Sequence, residues 1–179
     1  MDHHRSSPAP FPLLAFCYND AMIFQSTSAE VTRAFARQVL SQVKLDLNHA
    51  TVLALVGELG AGKTAFTQGL ASTLGIKSGV TSPTFVLSKK YKITPAMAKQ
   101  TGFKQLIHFD FYRLHDGHDL LALGWDDLLL EPSNLIVVEW PERVSQTLPK
   151  WAKIINFSHQ SEDQRIIKAS WLKPISNIS

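Results

Sequence analysis

The chain has a single cysteine, Cys17, so no disulfide can form within it and nothing asks for an oxidising compartment; the cytoplasm is the expected location. Long apolar runs are missing as well. The longest near the N-terminus, Leu13-Leu14-Ala15-Phe16-Cys17, is bounded by Pro12 and by Tyr18-Asn19-Asp20, too short for a membrane span or a signal core, and no membrane association is expected. There is no internal repeat and so no sign of a repeat architecture. Charged residues are sparse at 18%, against 45% hydrophobic, a balance that argues against disorder along most of the chain. The net charge of +3 is too small to establish nucleic-acid binding. What is present, 179 residues with ample apolar content, suits one folded domain.

Acid is absent from Leu59 to Phe109, where Lys63, Lys77, Lys89, Lys90, Lys92, Lys99 and Lys104 lie. The sign then reverses: between Asp110 and Glu142 only Arg113 opposes a series of aspartates and glutamates. Residues 1–22, with Ser6-Ser7-Pro8, Pro10 and Pro12, read as a loosely attached arm, residues 23–173 as the folded domain and 174–179 as a tail.

Thr27-Ser28-Ala29-Glu30 has the form of a capping box, and Val31, Phe35, Val39 and Val43 follow at four-residue steps, predicting a helix from Ser28 to Val43. Thr51-Val52-Leu53-Ala54-Leu55-Val56 is a continuous apolar run suited to a strand covered on both faces. Lys63 to Leu74 reads as a helix stopped by Gly75. Thr84 to Leu87, Leu106 to Phe109 and Leu135 to Val138 read as further strands, and Leu120 to Leu130 as a helix. The polar segment holding Pro95 and Gly102 reads as a loop with a mobile tip. Ile154 to Phe157 and Arg165 to Lys168 read as a closing hairpin. The fold class is therefore α/β, a mainly parallel sheet of the P-loop NTPase kind flanked by helices, with a C-terminal β-hairpin.

Gly57-Glu58-Leu59-Gly60-Ala61-Gly62-Lys63-Thr64 matches the P-loop pattern, and it follows a buried strand and opens a helix, as that pattern requires. Its glycines permit positive φ and close backbone approach to phosphates. Lys63 is placed to neutralise the terminal phosphates and Thr64 to offer its hydroxyl to Mg²⁺, while the helix N-terminus adds its dipole. Such a site also needs an acid at the end of a neighbouring strand. Asp110 and Glu139 both qualify, since ligands in open parallel sheets sit beyond the carboxyl ends of the strands. Thr81-Ser82-Pro83-Thr84-Phe85 forms a candidate loop for sensing the terminal phosphate. Trp140 could border nucleotide or partner, or simply pack. His108, inside an apolar strand, reads as a structural histidine. Arg113 and Arg143 are candidate charge-neutralising fingers, which nothing in their spacing demands.

The P-loop, Ser82-Pro83-Thr84-Phe85, His108-Phe109-Asp110-Phe111-Tyr112-Arg113-Leu114 and Val138-Glu139-Trp140-Pro141-Glu142, in this order, resemble the TsaE (YjeE) family from about Phe24 to Trp171. The P-loop alone is generic; the His-Phe-Asp-x-Tyr-Arg block followed by Glu-Trp-Pro is specific. The resemblance implies a P-loop ATPase, slow alone, that helps TsaB and TsaD make threonylcarbamoyladenosine on tRNA. It makes Lys63 and the loop from Gly57 to Thr64 phosphate binders, gives Mg²⁺ to Thr64 and Glu139, and makes Asp110 the water-orienting or switch carboxylate. Thr27, Ser28 and Thr32 would lie on the adenine side, with Arg165 a further candidate, and Thr84 and Trp140 at the nucleotide. Two departures are a longer N-terminal arm and an enlarged Lys92 to Lys104 segment.

Two rivals share the P-loop: a small-molecule kinase, against which stands the lack of an arginine-rich lid, and a nucleotide-sensing adaptor with negligible hydrolysis. Direct tRNA contact through Lys89, Lys90 and Lys92 would show a steep salt dependence, whereas a basic loop is ordinarily solvated surface.

Overall fold

The computed structural model describes residues 15–18, 21–114 and 118–173. The rest of the expected arm and the expected tail over 174–179 lie outside the described residues. The elements are β1 (Ala15–Tyr18), β2 (Ala21–Ser26), α1 (Ala29–Gln42), β3 (Thr51–Val56), α2 (Lys63–Thr73), β4 (Ser88–Lys92), α3 (Pro95–Thr101), β5 (Gln105–Asp110), α4 (His118–Ala122), α5 (Trp125–Leu130), β6 (Asn134–Glu139), a 3₁₀ turn (Pro141–Val144), β7 (Lys153–His159) and β8 (Arg165–Ala169). Residues 15–18, assigned to the arm from sequence, pair with β2 as an antiparallel strand.

One eight-stranded sheet runs in the order β1-β2-β8-β7-β3-β6-β5-β4. Its centre, β7, β3, β6 and β5, is parallel, as the apolar runs require, and β7 with β8 forms the expected terminal hairpin. Antiparallel strands extend both ends. Side chains of β3 alternate between two cores: Leu53 and Leu55 belong to the one that holds Phe35, Phe66 and Phe157, and Val52 to the one that holds Phe109, Trp125 and Ile136. Burial on both faces explains why β3 and β6 lack polar alternation. The parallel centre then delivers the ends of β3, β5 and β6 to one edge, with Glu139 in register with both Leu55 and Asp110.

Several local expectations are corrected. The N-cap of α1 is Ser28, whose hydroxyl accepts from the Val31 N–H at 3.2 Å, so the cap is one residue later than the Thr27-to-Glu30 box. Thr84 to Leu87 is a turn, and the strand follows it at Ser88. The loop between Lys92 and Lys104 holds α3, with Pro95 in its first turn and Gly102 as a left-handed C-cap: the two residues bound a helix instead of breaking one. The single helix expected over Leu120 to Leu130 is split into α4 and α5 at Gly124, whose φ of 67° cannot continue a helix.

α1 and α2 cross in close contact at Gly69, where an added Cβ would lie 2.4 Å from the Arg33 carbonyl oxygen and 2.8 Å from the Ala36 Cβ. Backbone on one side and a buried methyl on the other leave no flexible neighbour to yield. Gly69→Ala is expected to destabilise the fold by about 1–3 kcal/mol or more, measured as a lowered denaturant midpoint.

Candidate functional site

The loop between β3 and α2 is shaped by its glycines. Gly57 has φ 151° and an added Cβ would lie 2.4 Å from the Phe157 carbonyl oxygen, so the loop is pressed against β7 in a way that other residues obstruct. Gly62, at φ 102°, opens α2 without a side-chain cap, leaving the first N–H groups of the helix available to an anion. Lys63 follows, 4% exposed, its Nζ donating to the carbonyls of Gly57 at 2.5 Å and Glu58 at 2.8 Å. The same ammonium lies 3.9 Å from the centre of the Trp140 ring, and the face of an indole attracts cations. Burial lowers the Lys63 pKa from its ordinary value, against the opposing charges of Glu139, Glu142 and Asp110.

The expected carboxylates both arrive. Glu139, buried at the end of β6, receives the Thr64 hydroxyl at 3.1 Å on Oε1 and 3.2 Å on Oε2, and its Oε1 is 2.8 Å from His108 Nε2. Asp110, buried at the end of β5, accepts on Oδ2 from the hydroxyls of Ser82 and, at 2.5 Å, Thr84; its Oδ1 accepts from the Tyr112 N–H at 3.0 Å. These bonds tie the Ser82-to-Phe85 loop to the strand end and explain the turn at Thr84. Phe85 beyond it is 84% exposed.

Trp140 adopts φ 60° and ψ 46°, a left-handed conformation rarely taken by bulky residues, and its ring meets Tyr112 at a centroid distance of 5.0 Å. Strained backbone of this kind clusters at functional sites. Here it carries the ring from the end of β6 over Lys63.

A cavity of about 650 Å³ opens between these elements. It is lined by the loop from Leu59 to Gly62, by Lys63, Thr64 and Glu139, and by Thr84, Asp110 and Trp140. Thr27, Thr32 and Arg165 line it as well. Gly57 and Glu58 act through their carbonyls, which accept from Lys63. Thr32 is buried, its hydroxyl 2.7 Å from that of Ser26, and its methyl lies 3.7 Å from where a Cβ on Gly62 would stand, so it also props the loop. The Arg165 guanidinium, at this lining, donates to the Glu162 carbonyl at 2.8 Å.

Three contributors have no site role in the sequence reading. His108 holds Glu139, Tyr112 lies tilted against the Trp140 ring, and His159 Nε2 lies 3.2 Å from the Leu59 carbonyl, while Ser82, expected in the phosphate-sensing loop, holds Asp110. His108 was legible in one respect, since residues two apart on a strand share a face and Asp110 is its neighbour on that face. The others depend on long-range contacts.

Chemically, the loop and helix N-terminus suit a polyphosphate. Thr64 and Glu139 are hard oxygen donors side by side, which fits Mg²⁺, a cation that keeps several waters and takes further ligands from substrate phosphates. Among the described residues no cluster of three or more His, Cys, Asp or Glu could hold a metal by protein groups alone. None of the described helices is long and apolar enough to cross a membrane. The basic edge proves mixed: Lys89 donates to the Thr81 hydroxyl at 2.8 Å, while Lys90 and Lys92 lie exposed on edge strand β4, where lysines discourage pairing with another sheet.

Residues 26–167 match the family model described as threonylcarbamoyl adenosine biosynthesis protein TsaE. The chain is 33% identical over 144 residues to the tRNA threonylcarbamoyladenosine biosynthesis protein TsaE of Bacillus subtilis, covering 80% of this chain and 82% of the relative. It is 36% identical over 121 residues to the protein of that name from Treponema pallidum, covering 68% of this chain and 82% of the relative. The crystal structure of Bacillus subtilis YdiB superposes with a TM-score of 0.63 at 28% identity, covering 83% of this chain and 84% of that one. Blocks, fold and relatives agree: the chain belongs to the TsaE family.

Proposed function

We propose that this protein binds ATP with Mg²⁺ in the cavity between the P-loop and Glu139, hydrolyses it slowly, and acts with TsaB and TsaD in the cytoplasm. The family's role in tRNA threonylcarbamoyladenosine biosynthesis supplies the setting. The observation that carries the reading is the convergence of Lys63, Thr64, Asp110 and Glu139 on one cavity beside an uncapped helix N-terminus.

Mg²⁺, when bound, supplies charge neutralisation at the phosphates. Lys63 and the α2 N–H groups bind the phosphate oxygens and stabilise charge there. Thr64 and Glu139 hold the metal, which requires the Thr64 hydroxyl to leave the carboxylate. Asp110 orients the attacking water and accepts its proton. Because the same carboxylate restrains Ser82 and Thr84, hydrolysis is coupled to the loop carrying Phe85. Among the described residues the candidate finger arginines are engaged with other groups: Arg113 lies 4.4 Å over the Phe85 ring, Arg143 lies 5.6 Å from the Tyr112 ring centre, and Arg165 donates to the Glu162 carbonyl. Missing fingers leave such sites slower by about 10³- to 10⁵-fold, so a partner is expected to accelerate turnover.

Lys63 gives the site a pH signature. Burial lowers its pKa in the free protein, and phosphate oxygens against the ammonium raise it again. Binding therefore takes up protons between the free and bound values, and affinity falls as pH rises through the free value. Calorimetric ATP titrations in two buffers of different ionisation enthalpy are expected to show net uptake on the alkaline side, lost in Lys63→Ala.

The biosynthetic role is tested by reconstituting threonylcarbamoyladenosine formation on tRNA with TsaB and TsaD, read by mass spectrometry. The wild-type protein is expected to sustain repeated turnover and Lys63→Ala to fail; equal product from both contradicts the nucleotide-dependent role.

A further inference from the structure

We propose that His108 is a positioning residue that fixes the rotation of the Glu139 carboxylate so that Oε2 stays available to Mg²⁺; this rests on the ATP and Mg²⁺ reading given above. His108 is fully enclosed in β5, surrounded in sequence by apolar strand residues, and its Nε2 lies 2.8 Å from Glu139 Oε1. Its Nδ1 is buried without a hydrogen-bond partner. With nothing to meet at Nδ1, the N–H that finds an acceptor is the one on Nε2, donating to Glu139. An apolar side chain would fill this place without orphaning a nitrogen, whose burial is unfavourable. Packing alone does not account for a histidine here.

Glu139 has two groups on its carboxylate, and they differ in what they specify. Thr64 donates one proton and stands nearly equidistant from the two oxygens, at 3.1 and 3.2 Å, so it does not distinguish them. His108 contacts Oε1 alone. The terminal torsion of a glutamate is otherwise broad and roughly two-fold, so this bond is what sets the carboxylate plane. Once the Thr64 hydroxyl moves to the metal, Oε1 remains engaged by His108 and Oε2 is the oxygen set free. Mg²⁺ tolerates little departure from octahedral geometry, so the orientation of this ligand affects its binding.

The test is calorimetric ATP titration in EDTA and in Mg²⁺ for the wild type, His108→Gln, His108→Asn and His108→Leu. Glutamine can reach Glu139 with an amide N–H, asparagine is too short, and leucine has no donor. The tightening of ATP binding by Mg²⁺ is expected to be kept by His108→Gln and to shrink by about 10- to 100-fold in His108→Leu and His108→Asn, with affinity in EDTA unchanged within about 3-fold. Should His108→Leu not fold, the contrast between the other two variants decides. The proposal is overturned if His108→Asn keeps the wild-type response to Mg²⁺, or if its affinity in EDTA drops in parallel, which would mark a merely structural role. A wild type that binds no ATP overturns the nucleotide reading along with it, whereas normal wild-type binding with insensitive variants overturns the role of His108 alone.

Discussion

Lys63→Ala is expected to weaken ATP binding by about 10²- to 10⁴-fold while leaving the fold intact. Hydrogen bonds to charged groups contribute about 1.5–3 kcal/mol each, and an ammonium between phosphate oxygens makes at least two, which gives the expected loss. The structure explains why folding tolerates the change. In the free protein burial lowers the pKa of the ammonium, and its partners are the carbonyls of half-buried Gly57 and exposed Glu58. The thermal midpoint should stay within about 4 °C of wild type, corresponding to about 1 kcal/mol for a chain of this size. Binding is read by calorimetry and stability by a melting scan; loss of both together would mean that Lys63 is structural.

Asp110→Ala is expected to reduce ATP hydrolysis by about 10²- to 10⁴-fold, the range for removal of a positioned acid or base, with ATP affinity nearly unchanged. Its carboxylate accepts three hydrogen bonds from protein, two of them from the Ser82-to-Phe85 loop. Truncation removes the group that orients water and, in the same step, detaches the loop. Hydrogen exchange and limited proteolysis at residues 82–87 are therefore expected to rise in this variant even without nucleotide. A second variant, Ser82→Ala, separates the two effects: it loosens the loop but keeps the carboxylate, and should retain most hydrolysis. Equal loss of hydrolysis in Ser82→Ala would place the catalytic deficit in the loop and not in the acid.

How far the sequence led depended on which force decides each element. β3 and β6 are buried on both faces, so their continuous apolar runs are unambiguous, and the P-loop between β3 and α2 declares itself through glycines with φ requirements that few other residues meet. Placing Asp110 and Glu139 at strand ends was then enough to bring them together. β4 was displaced because Ser88-Lys89-Lys90-Tyr91-Lys92 is an edge strand with little to bury; pairing with β5 forms it, and hydrophobic pattern does not. The Thr84 turn is set by Asp110, twenty-six residues away. Pro95 and Gly102 punctuate chains generally, and whether they interrupt or bound a helix was settled by Met97 and Ala98 packing against the core beside Ile93 and Phe103. At the site, Lys63, Thr64 and Glu139 were legible from motif and position. The clamp of Ser82 on Asp110, the contact of Trp140 with Lys63 and the His108 bond to Glu139 arise only when separate strands meet.

Binding of ATP between the P-loop and Glu139 is tested by a crystal structure of the protein with Mg²⁺ and a non-hydrolysable ATP analogue. Phosphates are expected within the Gly57-to-Thr64 loop, with Lys63 Nζ transferred to them from the Gly57 and Glu58 carbonyls and the Thr64 hydroxyl moved from Glu139 to the metal. Nucleotide bound elsewhere, or Lys63 still bonded to both carbonyls with the loop empty, would contradict it.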